Sequence, residues 1–513
     1  MGQNSWGRTQ LGRRSLIAGV AAAAVVAAAG CSTSKTGEQP SSSNPGRSLF
    51  IGAVTMPETF DLVTNNDAAI PQVLLYNVYE TLVKIDGDGQ LRPLLATAWT
   101  VSDDRLTYTF TLQSGAKFAS GTPVNADAVM KSLNLLRQTG NAVIKARHQM
   151  VETIEATDDK TLTVTLSKPS QEWLYSLTSS SGVVIDPDGF TTLATKPMGS
   201  GPFAFDSWNK GSDITLVRNG SYWGTGTRFD KVTWRYFKDA NAMNAAMLSG
   251  DLDIISNVAA PQTLPQFSDP AKFTVLEGTT NGEVVLGFNH DTPALKNLKL
   301  RQAICHAIDR QAVIDTVWGG KGTLIGSMVP PTDPWYEDLS NTYPYDVEKA
   351  KQLVAESGIK NPTLRLRVPS LPYATGAVQL LTSQLKAAGI TLKSDVLEFP
   401  GRWLDVVYTK GDYDLTIVAH VESHDLGNWA NPKYYWHYDN PTFQALMAEA
   451  DASDEQTAIE KYKQAAKILA DDAAADFLFL LPNLIVTKPD IHGVSPNATS
   501  LSFDLTTVTS KLT

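Results

Sequence analysis

Leu364–Val396 reads LRLRVPSLPYATGAVQLLTSQLKAAGITLKSDV, and its pattern decides the fold class. Leu364–Val368 reads as a strand, Thr375–Ala388 as a helix that Gly389 ends, and Thr391–Val396 as the next strand. Downstream, Tyr413–Ala419 is a further strand, two helices fill Pro441–Asp472, and Phe477–Val486 is a last buried strand. Upstream, Leu298–Trp318 is helical with Gly319-Gly320 as its stop, and Asp346 caps a helix ended by Gly358. Helices alternating with short apolar strands predict an α/β lobe from about residue 290.

The N-terminal half has a different texture. Leu106, Tyr108, Phe110 and Leu112 alternate with threonines, as in a half-buried strand. Asn125 or Asp127 caps a helix through Leu136, and Thr161–Leu166 is a second strand. Asp239 caps a helix with Met243, Ala246 and Met247 on one face, Gly250 ends it, and strand Leu252–Ile255 follows.

Ahead of all this stands an export signal. Arg8, Arg13 and Arg14 precede the apolar run Leu16–Ala29, which is shorter than the roughly 20 residues of a membrane span. Ala28-Ala29-Gly30-Cys31 resembles a bacterial lipobox, which implies cleavage before Cys31 and a lipid on its sulfur. Arg13-Arg14 followed by Leu16-Ile17 fits twin-arginine export, and an ordinary positive start accounts for the same two residues. Ser32–Ser48, rich in Ser, Gly, Pro and Lys, is a flexible tether. The chain of 513 residues has a net charge of −10 and two cysteines, Cys31 and Cys305. An acidic exported chain is a poor nucleic-acid binder, and lipidation of Cys31 leaves no disulfide in the mature protein. The chain beyond the tether is longer than one core normally holds, so subdomains are expected.

Four stretches together resemble one family: Pro93–Trp99 continuing to Ala126-Asp127; Gly199-Ser-Gly-Pro-Phe203 to Tyr222-Trp223-Gly224; Arg301-Gln-Ala-Ile304 with Ala307-Ile-Asp-Arg310; and Tyr345-Asp346 with Glu348-Lys349-Ala350. Their order and spacing are similar to the family 5 substrate-binding proteins of bacterial ABC importers, the dipeptide-, oligopeptide- and nickel-binding lipoproteins. The resemblance implies an α/β, two-lobed periplasmic-binding-protein-like clamshell (type II, cluster C) with an extra subdomain in lobe I. It places the signal at 1–30, the lipid-anchored linker at 31–47, lobe I at 48–287 with an insert at about 86–196, lobe II at 288–485, and the return to lobe I at 486–513. The hinge crossings then fall near Phe288-Asn289-His290 and Lys488. A solute touching both lobes favours the closed form, which docks on a membrane permease. The implied protein is a monomer held at the cell membrane by its lipid; it needs no cofactor and is not an enzyme.

Candidate ligand contacts cluster after strand Tyr413–Ala419. Peptide-binding relatives carry an Asp there that takes the peptide's α-amino group; Asp425 matches it, Glu422 is the rival, and Asn431-Pro432 stands where an Asp-Pro pair would be. A carboxylate facing an ammonium in a closed cleft is worth about 1.5–3 kcal/mol. Trp429, Tyr435 and Trp436 could line the cleft with flat apolar walls, and Trp403 and Arg402 stand one helix earlier. From the first lobe, Asn65 in Thr64-Asn65-Asn66 occupies a cleft-facing place in relatives.

A rival chemistry uses His420, Glu422 and His424. At i, i+2 and i+4 they share one side if the strand continues through them, a set suited to a divalent transition metal such as nickel or its chelate. A secreted hydrolase of peptides or glycans is the alternative of another class. Against it, the chain has no Gly-x-Ser-x-Gly, His-Glu-x-x-His or Cys-x-x-Cys. Asp86-Gly-Asp-Gly-Gln90 begins like a calcium loop, but Thr97 stands where the closing Glu belongs.

Overall fold

A computed structural model describes residues 47–511. The expected signal, the Arg13-Arg14 pair, Cys31 and the tether up to residue 46 lie outside the described residues. The stretch Leu364–Val396 forms strand–helix–strand. Its strands, Thr363–Pro369 and Thr391–Leu397, pair in parallel from Thr363↔Thr391 to Pro369↔Leu397. The helix between them is Pro372–Ala387. It starts earlier than expected because Pro372, with its φ already helical, can open a first turn. Leu364, Leu366 and Val368 are buried, while Arg365 and Arg367 turn away to Asp414 and Asp412 at 2.9 and 2.8 Å. The expected helix Leu298–Trp318 is two, Leu298–Ala307 and Arg310–Trp318, because the Asp309 side chain accepts from Ala312 N–H and caps a new start.

Among the described residues ten strands make one mixed sheet. In chain order they are β1 (Ser48–Ala53), β2 (Phe203–Asn209), β3 (Asp213–Arg218), β4 (Lys231–Tyr236), β5 (Ile254–Ile255), β6 (Thr274–Phe288), β7 (Thr363–Pro369), β8 (Thr391–Leu397), β9 (Leu415–His420) and β10 (Ala475–Thr487). Their spatial order is β2-β3-β4-β1-β5-β10-β6-β9-β7-β8. The β2–β5 half packs on an N-terminal core of Leu49, Ile51, Phe203, Leu216 and Trp234. The β6–β9 half has a core on each face, one around Leu286, Leu366 and Ile417, the other around Val285, Trp429 and Phe477.

The long antiparallel pair β6–β10 joins the halves. Its ladder runs Thr274↔Thr487 to Thr279↔Pro482, breaks, and resumes at Glu283↔Leu480. Proline supplies no ladder N–H, so Pro482 belongs at such an irregularity. Core membership changes at the same level: Leu276 and Ile485 pack on the N-terminal core, Val284 and Phe479 on the other. Break and change of core both lie upstream of the crossings expected near residues 288 and 488.

A four-stranded antiparallel sheet is inserted in the first half: Ala96–Val101, Thr107–Leu112, Thr161–Leu166 and Val151–Ala156, in that spatial order. Helix Ala126–Thr139, capped by Asn125, covers it, and its buried residues join the N-terminal core. The C-terminal tail returns to that core: Phe503 O accepts from Asn77 Nδ2 at 2.9 Å, and Asp504 and Asp490 pair with Lys84 and Arg47.

The motif residues Arg301 and Arg310 are structural. Arg301 is buried and donates to the carbonyls of Leu295, Lys296, Asp472 and Ala473. Arg310 donates to those of Ile325, Ser340 and Phe477. Among the described residues no helix is long and apolar enough to cross a membrane.

Candidate functional site

The interrupted ladder is the floor of a cleft of about 820 Å³, reached by Thr280–Gly282 of β6 and Leu481–Asn483 of β10. The N-terminal half contributes Asp67, Gln72 and Asn257, and the other half Trp318 and Val421. Local bonding sets these groups. Asn65 Oδ1 accepts from Asp67 N–H at 2.8 Å, and Asp67 Oδ1 accepts from Ala69 N–H at 2.9 Å at the start of helix Ala69–Leu74. Gln72 lies on that helix. Ser256 N–H and Oγ–H both donate to Gly52 O, which fixes the segment that leads to Asn257. Two charged pairs at the rim are mutually engaged, Lys84 with Asp504 at 2.9 Å and Arg92 with Asp86 at 2.6 Å. Asp67 is therefore the cleft carboxylate with no cation against it among the described ion pairs.

Most of the residues expected from the sequence lie along one segment of the second half, 420–436, and the structure separates them. Strand β9 ends at His420. Val421, 46% exposed, enters the cleft. Glu422 and His424 turn instead to the inserted part of the N-terminal half, where Glu422 meets Arg147 at 2.7 Å and His424 meets Glu172 at 3.0 Å. His420, Glu422 and His424 therefore do not converge, and among the described residues no group of three His, Cys, Asp or Glu is placed to hold a metal ion.

Asp425 is 7% exposed and opens the short 3-10 turn Asp425–Ala430 behind the cleft wall. Its Oδ1 accepts from Asn428 Nδ2 at 2.8 Å. Burial, then the nearby Glu422 charge, pushes its carboxyl well up. Beside it, His420 Nδ1 lies 3.8 Å from Asp425 Oδ2, and His420 Nε2 bonds the Tyr435 hydroxyl at 2.9 Å. Burial pushes His420 down to about 4, so a neutral imidazole stands beside an acid whose ionisation burial opposes.

Across the ladder from His420 is Glu283, 1% exposed, with no hydrogen-bond partner for Oε2. Burial, then Asp425, pushes its carboxyl well up too. Cross-strand neighbours place their Cβ atoms about 4.5–5.5 Å apart. His420 thus stands beside both Glu283 and Asp425, two acids whose ionisation burial opposes.

The aromatic candidates form a packed wall behind the cleft. Trp429 stacks on Trp436 with ring centres 3.8 Å apart and planes 7° off parallel, and both are buried. A Cβ at Gly287 would lie 2.7 Å from Trp436 Nε1, so β6 needs glycine there to let the indole close. Tyr435 O accepts from the Tyr413 hydroxyl, and Trp403 Nε1 donates to Thr416 Oγ1 at 3.1 Å. Arg402 and Asn431 are exposed on their turns, and Asn431 Oδ1 accepts from Lys433 N–H. Sequence reasoning missed Gln72, Asn257, Thr280–Gly282 and Trp318. Proximity to a break in a strand ladder leaves no local signature, although Asn65 marked the loop that carries Asp67.

A family model for bacterial extracellular solute-binding proteins, family 5 Middle, matches residues 90–445. The chain is 31% identical over 488 residues to the probable D,D-dipeptide-binding periplasmic protein DdpA of Escherichia coli (strain K12), covering 88% of this chain and 91% of that protein. It is 28% identical over 446 residues to heme-binding protein A of Haemophilus influenzae, covering 77% and 80%. It superposes on the ABC transporter substrate-binding protein CtaP of Listeria monocytogenes with a TM-score of 0.80 at 25% identity, covering 91% of this chain and 99% of that one. With the match spanning most of the chain and a cleft between two cores joined by one long strand pair, the chain belongs to the family 5 extracellular solute-binding proteins of ABC importers, which bind their solute and do not transform it.

Proposed function

We propose that the solute is a short peptide, held between the lobes and handed to the membrane permease. The observation that carries this reading is the cleft: about 820 Å³, walled by both halves, with amides from Gln72 and Asn257 and apolar surface from Trp318 and Val421. That volume lies within the roughly 300–1,000 Å³ of small-molecule sites, and mixed amide and apolar walls suit a peptide's main chain and side chains. The 31% identity to a probable D,D-dipeptide-binding protein supports it. An acid receives the peptide's ammonium. Asp425 is the acid that the sequence nominates, and Asp67 is the one the cleft exposes. If Asp425 serves, the ammonium supplies the positive partner that offsets the burial opposing its charge.

On the same proposal, lobe I spans 48–287 and 486–513 with its insert near 86–196, and lobe II spans 288–485. Cys31 carries a lipid that tethers the protein to the membrane. The protein works as a monomer.

Native mass spectrometry of the purified protein, then calorimetry with a ladder of di- to pentapeptides and with nickel plus and minus histidine, tests the reading. Peptide heat with no nickel heat supports it, and nickel–histidine binding without peptide binding overturns it. Asp67→Asn and Asp425→Asn then separate the acids: the one that receives the ammonium loses tenfold or more in affinity, as a charge-assisted bond of about 1.5–3 kcal/mol requires. Unchanged affinity in both refutes recognition by either acid.

A further inference from the structure

The insert and the second half meet across a seam unlike the rest of the molecule. Helix Ala142–His148 and helix Gln171–Ser176 belong to the N-terminal core through Ile144 and Trp173. Opposite them, Trp335 and Tyr462 belong to the separate core around Trp429. What crosses the seam is largely polar. Arg147 Nη2 donates to Glu422 Oε2 at 2.7 Å while its Nη1 is steadied by Ser179 Oγ at 3.0 Å. His424 Nδ1 lies 3.0 Å from both oxygens of Glu172, and the Tyr462 hydroxyl donates to Glu172 Oε1 at 3.3 Å. Asp451 Oδ1 accepts from Ser170 Oγ at 2.8 Å and from Glu172 N–H at 2.9 Å, and Ser453 O accepts from Gln171 Nε2 at 2.7 Å.

A seam of charged and neutral polar pairs can part into water and re-form, as an apolar core cannot. Its place in the chain also matters. Val421 lines the cleft, and the next residues, Glu422 and His424, hold the seam. His424 has φ 61°, a backbone that non-glycine residues seldom adopt, and its ring sits 4.5 Å from Tyr175 and 4.6 Å from Trp335. The chain is held in an uncommon conformation at the point where cleft and seam meet.

From this geometry we infer that the inserted subdomain is a clasp: Arg147 and Glu172 grip Glu422 and His424 and hold the two lobes shut, and so set how long a solute is retained. The four are positioning residues, since they touch one another across the seam. The clasp is independent of which solute is bound. It differs from closure driven by the solute alone, because it acts with the cleft empty.

The clasp is pH-sensitive with a definite sign. Burial opposes charge on His424, but Glu172 and then Asp333 outweigh it, against Arg147, and push the imidazolium up to about 9. Tyr175 and Tyr462 face it as neutral phenols raised by burial, and Glu422 and Asp425 flank it on its own segment. With the lobes apart, His424 returns toward the ordinary value of about 6.5. Its contribution to closure is therefore complete below about pH 6.5 and is lost as pH rises through about 9.

Small-angle X-ray scattering of the ligand-free protein from pH 6 to 10 tests this without any solute. The expected result is a compact particle at pH 6–7 whose radius of gyration rises between about pH 6.5 and 9. Glu172→Gln moves that rise to lower pH, Arg147→Glu opens the particle at pH 7, and Arg147→Glu with Glu422→Arg closes it again. The re-closing variant separates a broken clasp from a misfolded chain. A ligand-free protein open at every pH, or a radius unmoved by Glu172→Gln and Arg147→Glu, overturns the clasp. A failure of peptides to bind would overturn the proposed solute and leave these scattering results standing.

Discussion

Glu283→Gln should make this protein more stable at neutral pH, although it alters a fully buried residue on the central strand β6. Glu283 is 1% exposed, its Oε2 has no partner, and burial followed by Asp425 pushes its carboxyl well up. The folded chain therefore keeps a proton that the unfolded chain, with an ordinary glutamate near 4.3, releases. Where the folded state binds more protons, stability falls as pH rises, by about 1.4 kcal/mol per unit. The loss accumulates above about pH 4.3 for as long as the folded chain holds that proton. Glutamine has the same shape and titrates nowhere, so the variant escapes that loss. Against the gain stands an amide whose N–H groups inherit the unpartnered position, a cost of about 1 kcal/mol. The loss outgrows the amide's cost within about one pH unit above 4.3, so Glu283→Gln is the more stable protein near pH 7, and its advantage vanishes or reverses near pH 4. Urea unfolding of both proteins at pH 4, 5.5 and 7 measures it. A variant less stable than its parent at pH 7, or a difference that does not change with pH, would show Glu283 to be ionised and paired, and the reasoning to be wrong.

Arg301→Leu removes all the donors that serve the carbonyls of Leu295, Lys296, Asp472 and Ala473, and leaves buried acceptors unpaired. It should cost about 3–5 kcal/mol by urea unfolding, and a loss under 1 kcal/mol would refute a structural role for that motif arginine. Trp429→Ala empties a site stacked at 3.8 Å on Trp436 and should cost about 3–5 kcal/mol, whereas Trp429→Phe keeps most of the packing. Equal stability of the alanine and phenylalanine variants would place Trp429 outside the core. Asp309→Ala deprives helix Arg310–Trp318 of its cap and should cost about 1 kcal/mol, and no change in the urea midpoint would remove the cap as the reason the expected long helix is broken there.

The elements most legible in the sequence were those written in short-range pattern. Thr107–Leu112 alternates buried and open residues, so periodicity finds it. Asp239, Asp346 and Asn125 cap their helices through side-chain acceptors, and caps are read directly from residue type. The long helix Leu298–Trp318 failed for the opposite reason. Ile304 and Ile308 keep the helical spacing, so the apolar pattern runs straight across the point where Asp309 starts a second helix. The level at which β6 and β10 change cores was also hidden. Within β10 the apolar run resumes past the break, and only Pro482-Asn483 interrupts it.

The site was less legible than the fold because it is made by long-range placement of residues with no distinctive chemistry. Val421 lies inside the stretch singled out for ligand contacts, yet its acidic and imidazole neighbours drew the attention. The structure explains why those neighbours do not sit in the cleft. A carboxylate or imidazole gains most where a partner and low dielectric meet it, and here Arg147 and Glu172 on the insert supply the partners. The charged residues of 420–425 are thus divided between the seam and the buried acids, and the cleft wall is left to a valine. That division has a physical logic for a protein that must accept a solute and let it go. The second half meets the guest with an uncharged wall, while the charge that favours the shut form sits next door, where a proton on His424 can modulate it.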